Sequence, residues 1–270
     1  MTLCGRKISR MTRLTRTLAV ALGFVVVTLG AQTKHWAYED SGDGVGPAKW
    51  GTLPGDAACG TGKQQTPIDL VVSAAKSQDL PNLAFAYKPS RLLMTNNGHT
   101  VQMTYDAGSK LGRVGMTSAL TLAQFHFHAP SEHTVDAASY PMEAHLVHVD
   151  AAGKPAAVVA VFIKAGKENA GLTRAFQSLP ARSGHKSAPA GATIDARALL
   201  PVDTTFFTYA GSLTTPPCTE GLTWYVFKTP IEMSAGQISA FTKLEHLGHT
   251  NRPIQNSAGR VVLVDSTPGK

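Results

Sequence analysis

The chain has 270 residues, 25 Lys and Arg against 18 Asp and Glu, a formal net charge of +7, and 43% hydrophobic residues. No Lys/Arg cluster is interleaved with aromatics, so the basic excess does not point to nucleic acid. No internal period of 20–50 residues is present, which excludes solenoids and propellers.

The excess of base lies at the start. Arg6, Lys7, Arg10, Arg13 and Arg16 precede an apolar run from Leu18 to Leu29, and no acid occurs before Glu39. A basic region, a short apolar core and the small residues Gly30 and Ala31 read as a secretory signal over residues 1–31, ahead of one domain over 32–270. The remainder carries 20 basic residues against 18 acids and is nearly balanced. The apolar run is short for a membrane span, so none is expected after cleavage. An uncleaved anchor is the alternative, and Met11 would open a more ordinary signal. Export predicts a periplasmic or secreted protein. Cys4 falls in the leader, and Cys59 and Cys218 remain. An even count in an exported chain predicts one disulfide, against the alternative of two buried thiols.

Short segments rich in Val, Phe, Thr and Tyr follow. Strands are predicted at Leu92–Thr95, Val101–Tyr105, Leu120–His128, Glu143–Val149, Ala157–Ile163, Phe206–Tyr209, Leu222–Phe227 and Val261–Val264. Asn96-Asn97-Gly98 and Asp106-Ala107-Gly108 punctuate as turns. Residues 181–198, rich in Ala, Ser, Gly and Arg, read as a surface excursion. Helices are predicted at Ser234–Leu247, with Ser234 as cap, and more weakly at Glu168–Ser178. Strands without regular intervening helices argue against a doubly wound parallel sheet.

The most informative stretch is Gln124-Phe125-His126-Phe127-His128. In a strand, Gln124, His126 and His128 share one face and the phenylalanines take the other. In Glu143-Ala144-His145-Leu146-Val147-His148, Glu143, His145 and Val147 share a face. The gap between the two segments suits antiparallel neighbours, which lets His145 approach the first pair. Three imidazoles with an open fourth position suit a catalytic zinc, although copper, cobalt or nickel could also bind. Gln124 and Glu143 each sit two residues before a candidate ligand, placed to accept its outer N–H.

These residues carry a resemblance. Gln124–Val135 with Glu143–His148 is similar to the zinc signature of α-class carbonic anhydrases, and Gly211–Thr219 (GSLTTPPCT) resembles that family's substrate loop. Asn96–His99 and Lys63–Leu70 match further segments in the same order. Ala129-Pro130, the short run to Glu132, and the Cys59/Cys218 pair resemble the bacterial branch. The resemblance implies one large, twisted, mostly antiparallel sheet of about ten strands with peripheral helices. It implies reversible hydration of CO2 to bicarbonate by a metal-bound hydroxide, with one Zn2+ per chain on His126, His128 and His145.

By matching position, Thr214 resembles the residue that orients the nucleophile and Glu132 the carboxylate that accepts from it. Thr215 resembles a bicarbonate contact. Val147, Val158, Leu213, Leu222 and Trp224 resemble the apolar wall, a role that ordinary core packing would also explain. His99 resembles the proton shuttle, with a plain turn histidine as the alternative. His133 and Tyr209 resemble members of a buried structural network. Gln102 occupies a cavity-lining place that is often Asn. Sulfonamide and anion inhibitors, and a homodimer, are further expectations. Competing readings are a silent binding domain, which would be expected to lack a zinc histidine, and a zinc esterase. No His-Glu-x-x-His helix supports a protease.

Overall fold

The computed structural model describes Met1, Thr2 and residues 34–267. The basic and apolar stretches of the leader, with Cys4, lie outside the described residues.

The β-rich segments join one sheet of thirteen strands. In chain order these are β1 (Lys76–Gln78), β2 (Leu83–Ala86), β3 (Leu93–Asn96), β4 (Val101–Thr104), β5 (Lys110–Arg113), β6 (Leu120–His128), β7 (Met142–Val149), β8 (Pro155–Ala165), β9 (Lys186–Ser187), β10 (Phe206–Ser212), β11 (Glu220–Phe227), β12 (Ile231–Met233) and β13 (Leu263–Asp265). Across the sheet they run β9-β3-β4-β6-β7-β8-β11-β10-β13-β1, with β12 beside β8 and the β2–β5 pair extending β6. Most pairs are antiparallel, while β8 with β11, β8 with β12 and β13 with β1 are parallel. The sheet exceeds the ten strands expected because several members are very short. β1 is fully exposed and β9 has two residues, so neither shows an alternating pattern.

The sheet is covered on both faces. One face packs Phe125, Phe127, Leu146, Val159 and Val161 into the larger core. The other packs Val147, Val158, Phe162 and Trp224 with Ile68 and Leu70. Burying such side chains stabilises by about 1.5–3 kcal/mol each. β8 sends alternate residues into both cores, which is why Ala157–Ile163 is continuously apolar.

The helix Ala235–Thr242 is closed by a reciprocal capping box between Ser234 and Gln237. Its buried Phe241 meets Phe127 at 6.1 Å between ring centroids, so it supports β6 from behind. It ends before the predicted Leu247, and beyond it His246 takes a left-handed φ of 64°. The weaker prediction at Glu168–Ser178 resolves into a 3-10 turn, Ala170–Leu172, and one helical turn, Thr173–Phe176. Residues 181–198 are more than a surface excursion, since they contribute β9 and the buried Ile194 and Ala196.

Candidate metal centre

β6 and β7 are antiparallel, with His126 directly opposite His145 and His128 opposite Glu143. Plain alternation along β6 would put Leu122 on the histidine face. A register shift between Leu122 and Gln124 prevents this: Leu122 pairs with His148 and Gln124 with Val147, leaving Ala123 as an extra residue. Leu122 therefore joins Phe125 and Phe127 in the larger core, and the histidines face the other way.

The rings of His126, His128 and His145 lie 4.6–5.4 Å apart between centroids. One nitrogen from each falls within 4.8 Å of the other two. The outer nitrogens are held. Gln124 Oε1 lies 2.8 Å from His126 Nδ1, and Glu143 Oε1 lies 2.8 Å from His145 Nε2. The Thr250 carbonyl accepts from His128 Nδ1. These bonds leave Nε2 of His126, Nε2 of His128 and Nδ1 of His145 converging, and His128 Nε2 is buried without a hydrogen-bond partner. Burial pushes the His126 imidazole well below its usual range, and the neighbouring histidines push it further. Burial lowers His128 as well. Neutral imidazoles, each with one free lone pair, are what a metal requires. A second grouping, His133, Glu143 and His145, is explained by hydrogen bonds between its members.

Glu143 lies under the site. It accepts from His133 N, His133 Nδ1 and His145 Nε2 at 2.7–2.8 Å. Burial raises its pKa, but His133, His145 and their hydrogen bonds outweigh this and hold it well below the usual range. His133 Nε2 then meets Tyr209 OH at 2.7 Å, so the expected pair does form a buried network.

Beside the ligands runs an apolar row. Val147 on β7 faces Val158 on β8, which pairs with Trp224 on β11, which pairs with Tyr209 on β10. Leu222 and the partly buried Leu213 belong to the same cluster. The loop joining β10 to β11 carries Thr214, buried, and Thr215. It is tied by Leu213 N to Thr219 O, by Cys218 N to Thr215 O and by Trp224 Nε1 to Ser212 O, at 2.9–3.0 Å. A cavity of about 110 Å³ is lined by His126, His128, Gln124, Gln102, Thr215 and His99, among others.

A family model for the eukaryotic-type carbonic anhydrases matches residues 45–266. The chain belongs to this carbonic anhydrase family. A carbonic anhydrase of Pectobacterium carotovorum is 38% identical over 247 residues, spanning 91% of this chain and 97% of that protein. One from Nostoc sp. is 42% identical over 239 residues, spanning 86% and 87%. The structure of the α-carbonic anhydrase of Thermovibrio ammonificans with the inhibitor sulfanilamide aligns with a TM-score of 0.78 at 41% identity. It covers 85% of this chain and 99% of that one.

Two site residues stand differently from what the carbonic anhydrase resemblance implies. Glu132 is buried, and its Oε1 accepts from Arg252 N at 2.8 Å. Its Oε2 has no hydrogen-bond partner, so no bond joins it to Thr214 in this geometry. His99 stacks on Trp36 at 3.6 Å between centroids, with 16° between the planes. Burial, with a smaller effect of His35, pushes its pKa down to about 4. The Cys59–Cys218 disulfide is present and joins positions 159 residues apart.

Sequence reasoning missed four contributors. The Thr250 carbonyl is a backbone group, and no side-chain pattern signals it. Trp36 and Tyr38 line the cavity from the N-terminal segment, far from the histidines in sequence. Arg252 sits in irregular chain and is 1% exposed. An arginine beside Pro253 reads as surface until its partners are known.

Proposed function

We propose that this chain is a zinc enzyme that hydrates carbon dioxide reversibly to bicarbonate and a proton. The observation that carries the proposal is the convergence of three imidazole nitrogens whose outer nitrogens are engaged by Gln124, Thr250 and Glu143. An all-nitrogen set without thiolate fits zinc, and three protein ligands leave a position for chemistry. When bound, zinc acts as a Lewis acid that acidifies a water and so supplies a nucleophile near neutral pH, an effect for which carbonic anhydrases are the standard example.

The chain's own residues do the rest. His126, His128 and His145 would hold the metal, while Gln124 and Glu143 fix the orientation and tautomer of the rings they contact. The wall of Val147, Val158, Leu213, Leu222 and Trp224 receives CO2, a small molecule without donors. Glu132 Oε2, left free by the Arg252 N–H on Oε1, is the acceptor that the Thr214 hydroxyl would meet once the two side chains close to hydrogen-bond distance. With its own hydrogen directed at Glu132, Thr214 Oγ1 would accept a hydrogen bond from the nucleophile and so orient the nucleophile's lone pair toward carbon. Thr215 contacts the bicarbonate. His99 passes the proton outward. In the stacked pose its depressed pKa makes it a poor acceptor, so relay requires the ring to leave Trp36 and meet water. The sulfanilamide-bound relative supports binding of sulfonamides, and the open fourth position of a three-histidine site suits small anions. The leader and the disulfide support export to a periplasmic or extracellular compartment.

Elemental analysis should find one zinc per chain, and stopped-flow assay should show CO2 hydration far exceeding hydrolysis of activated esters. His126→Ala and His145→Ala should each lose the metal and the activity. Full activity in either variant would overturn the assignment.

A further inference from the structure

Arg252 is a fully buried cation, 1% exposed, and no carboxylate forms a salt bridge with it among the described residues. Burying an arginine without a paired anion is costly, so its remaining contacts must compensate. They are neutral acceptors. Nη1 donates to Gln65 Oε1 and to the Thr66 carbonyl, both at 2.8 Å. Nη2 donates to the Cys59 carbonyl at 3.0 Å. The guanidinium carbon lies 5.7 Å from the Trp50 ring centroid.

Gln65 completes a circuit. Its Nε2 donates to the Cys218 carbonyl at 3.1 Å, and Cys218 is bonded to Cys59. Arg252, Cys59, Cys218 and Gln65 thus form a closed ring through one disulfide and three hydrogen bonds. Each side of the ring continues into the metal pocket. On one side Cys218 N donates to Thr215 O, the residue next to Thr214 in the loop that follows β10. Thr66, held through its carbonyl, exchanges two hydrogen bonds at 3.0 Å with Ser212 at the end of β10. On the other side the main chain of the same arginine reaches the site. Arg252 N holds Glu132 Oε1, and two residues earlier the Thr250 carbonyl holds His128.

We propose that Arg252 is a positioning residue for the metal pocket, tying the Cys59–Cys218 bridge to the segment that holds Glu132 and His128 and to the loop that bears Thr214. The inference rests on the carbonic anhydrase reading of those residues. Its physical basis is the planar fork of the guanidinium, which spans three acceptors at once. Without it, the Thr250–Arg252 segment and the Thr214 loop keep their own chain connections but lose the shared anchor. The distance between Glu132 and Thr214 is then free to vary, and transition-state contacts are sensitive to small misplacement.

The test uses the zinc-loaded protein as wild type, as Arg252→Met, as the Cys59→Ser/Cys218→Ser pair and as the combination. Arg252→Met should retain one zinc per chain and lose about tenfold in kcat/KM for CO2. The serine pair should lose a similar amount, and the combination no more than the worse of the two, because all three break one link. Arg252→Lys, which keeps the charge but not the fork, should recover only part of the loss. In the zinc-free protein, Arg252→Met should speed reduction of the disulfide by dithiothreitol, since two of the ring's hydrogen bonds are gone. Wild-type kcat/KM in folded, zinc-loaded Arg252→Met overturns the inference, whatever happens to thermal stability. Losses that multiply in the combination overturn the link to the bridge. If Arg252→Met does not fold, Gln65→Met opens the same ring, and unchanged kcat/KM there is equally fatal. A wild-type protein that binds no zinc or hydrates no CO2 would instead overturn the functional reading.

Discussion

Single atoms decide the chemistry of this pocket. Thr214 and Glu132 are both buried, and Glu132 Oε2 is without a partner. Thr214→Ala should keep its zinc and lose about a hundredfold in kcat/KM, the size of one well-placed transition-state hydrogen bond. Unchanged kinetics would remove the threonine from the mechanism. His99 is held by an Asn97 side chain that accepts from His99 N and Thr100 N at 2.9–3.0 Å, after Gly98 at φ 86°. Its stacking on Trp36 and its pKa of about 4 set a specific expectation. His99→Ala should lower kcat in dilute buffer, leave kcat/KM intact and respond to added imidazole, since CO2 attack precedes proton release. Trp36→Ala should raise the His99 pKa toward its ordinary value near 6.5, read by NMR titration. No change in kcat on loss of His99 would leave it a turn residue.

At the scale of elements, β6 works because of an irregularity. The extra residue at Ala123 lets Leu122 serve one core while Gln124, His126 and His128 serve the other face. Behind β6, the helix Ala235–Thr242 contributes packing through Phe241, and its capping box sets where it starts. Ser234→Ala should cost about 1 kcal/mol and lower the melting temperature by roughly 2–4 °C. Zinc content and kinetics should stay at wild-type levels, because the cap touches no pocket residue. A loss of metal in this variant would mean that the helix start positions β6 more directly than Phe241 packing implies.

For the molecule as a whole, several histidines are buried in neutral form. His148 contacts Tyr87 OH at 2.7 Å, and burial pushes its pKa down to about 3. His126, His128 and His99 are lowered too, each first by burial. Each folded-state pKa lies below the unfolded value near 6.5, so the unfolded chain binds more protons below that pH. Stability of the metal-free protein should therefore fall as pH drops from about 6.5 toward 4, and level off above 6.5. Urea unfolding across that range measures it, and a flat profile from pH 7 to 5 would contradict the burial of neutral imidazoles. The disulfide acts at the same scale: closing a loop of 159 residues removes about 5 kcal/mol of unfolded-chain entropy in the simple chain model.

Local pattern was enough for the elements that carry the candidate ligands. The alternation in Gln124–His128 and Glu143–His148 is a period-2 signal that fixes which residues share a face, and the β6–β7 register then brings His126 opposite His145. An even cysteine count in an apparent export product was likewise sufficient to pair Cys59 with Cys218. The short strands β1 and β9, the extra residue at Ala123 and the parallel pairing of β8 with β11 were not legible, because pairing partners far apart in sequence determine them. The same holds for Thr250, whose contribution is a carbonyl, and for Arg252, whose partners Cys59, Gln65 and Glu132 lie 120 to 193 residues away. Sequence determines which groups are available and which face of a strand they take. Tertiary structure decides which acceptor meets each donor, since a hydrogen bond depends on separations of a few tenths of an ångström that no local pattern encodes.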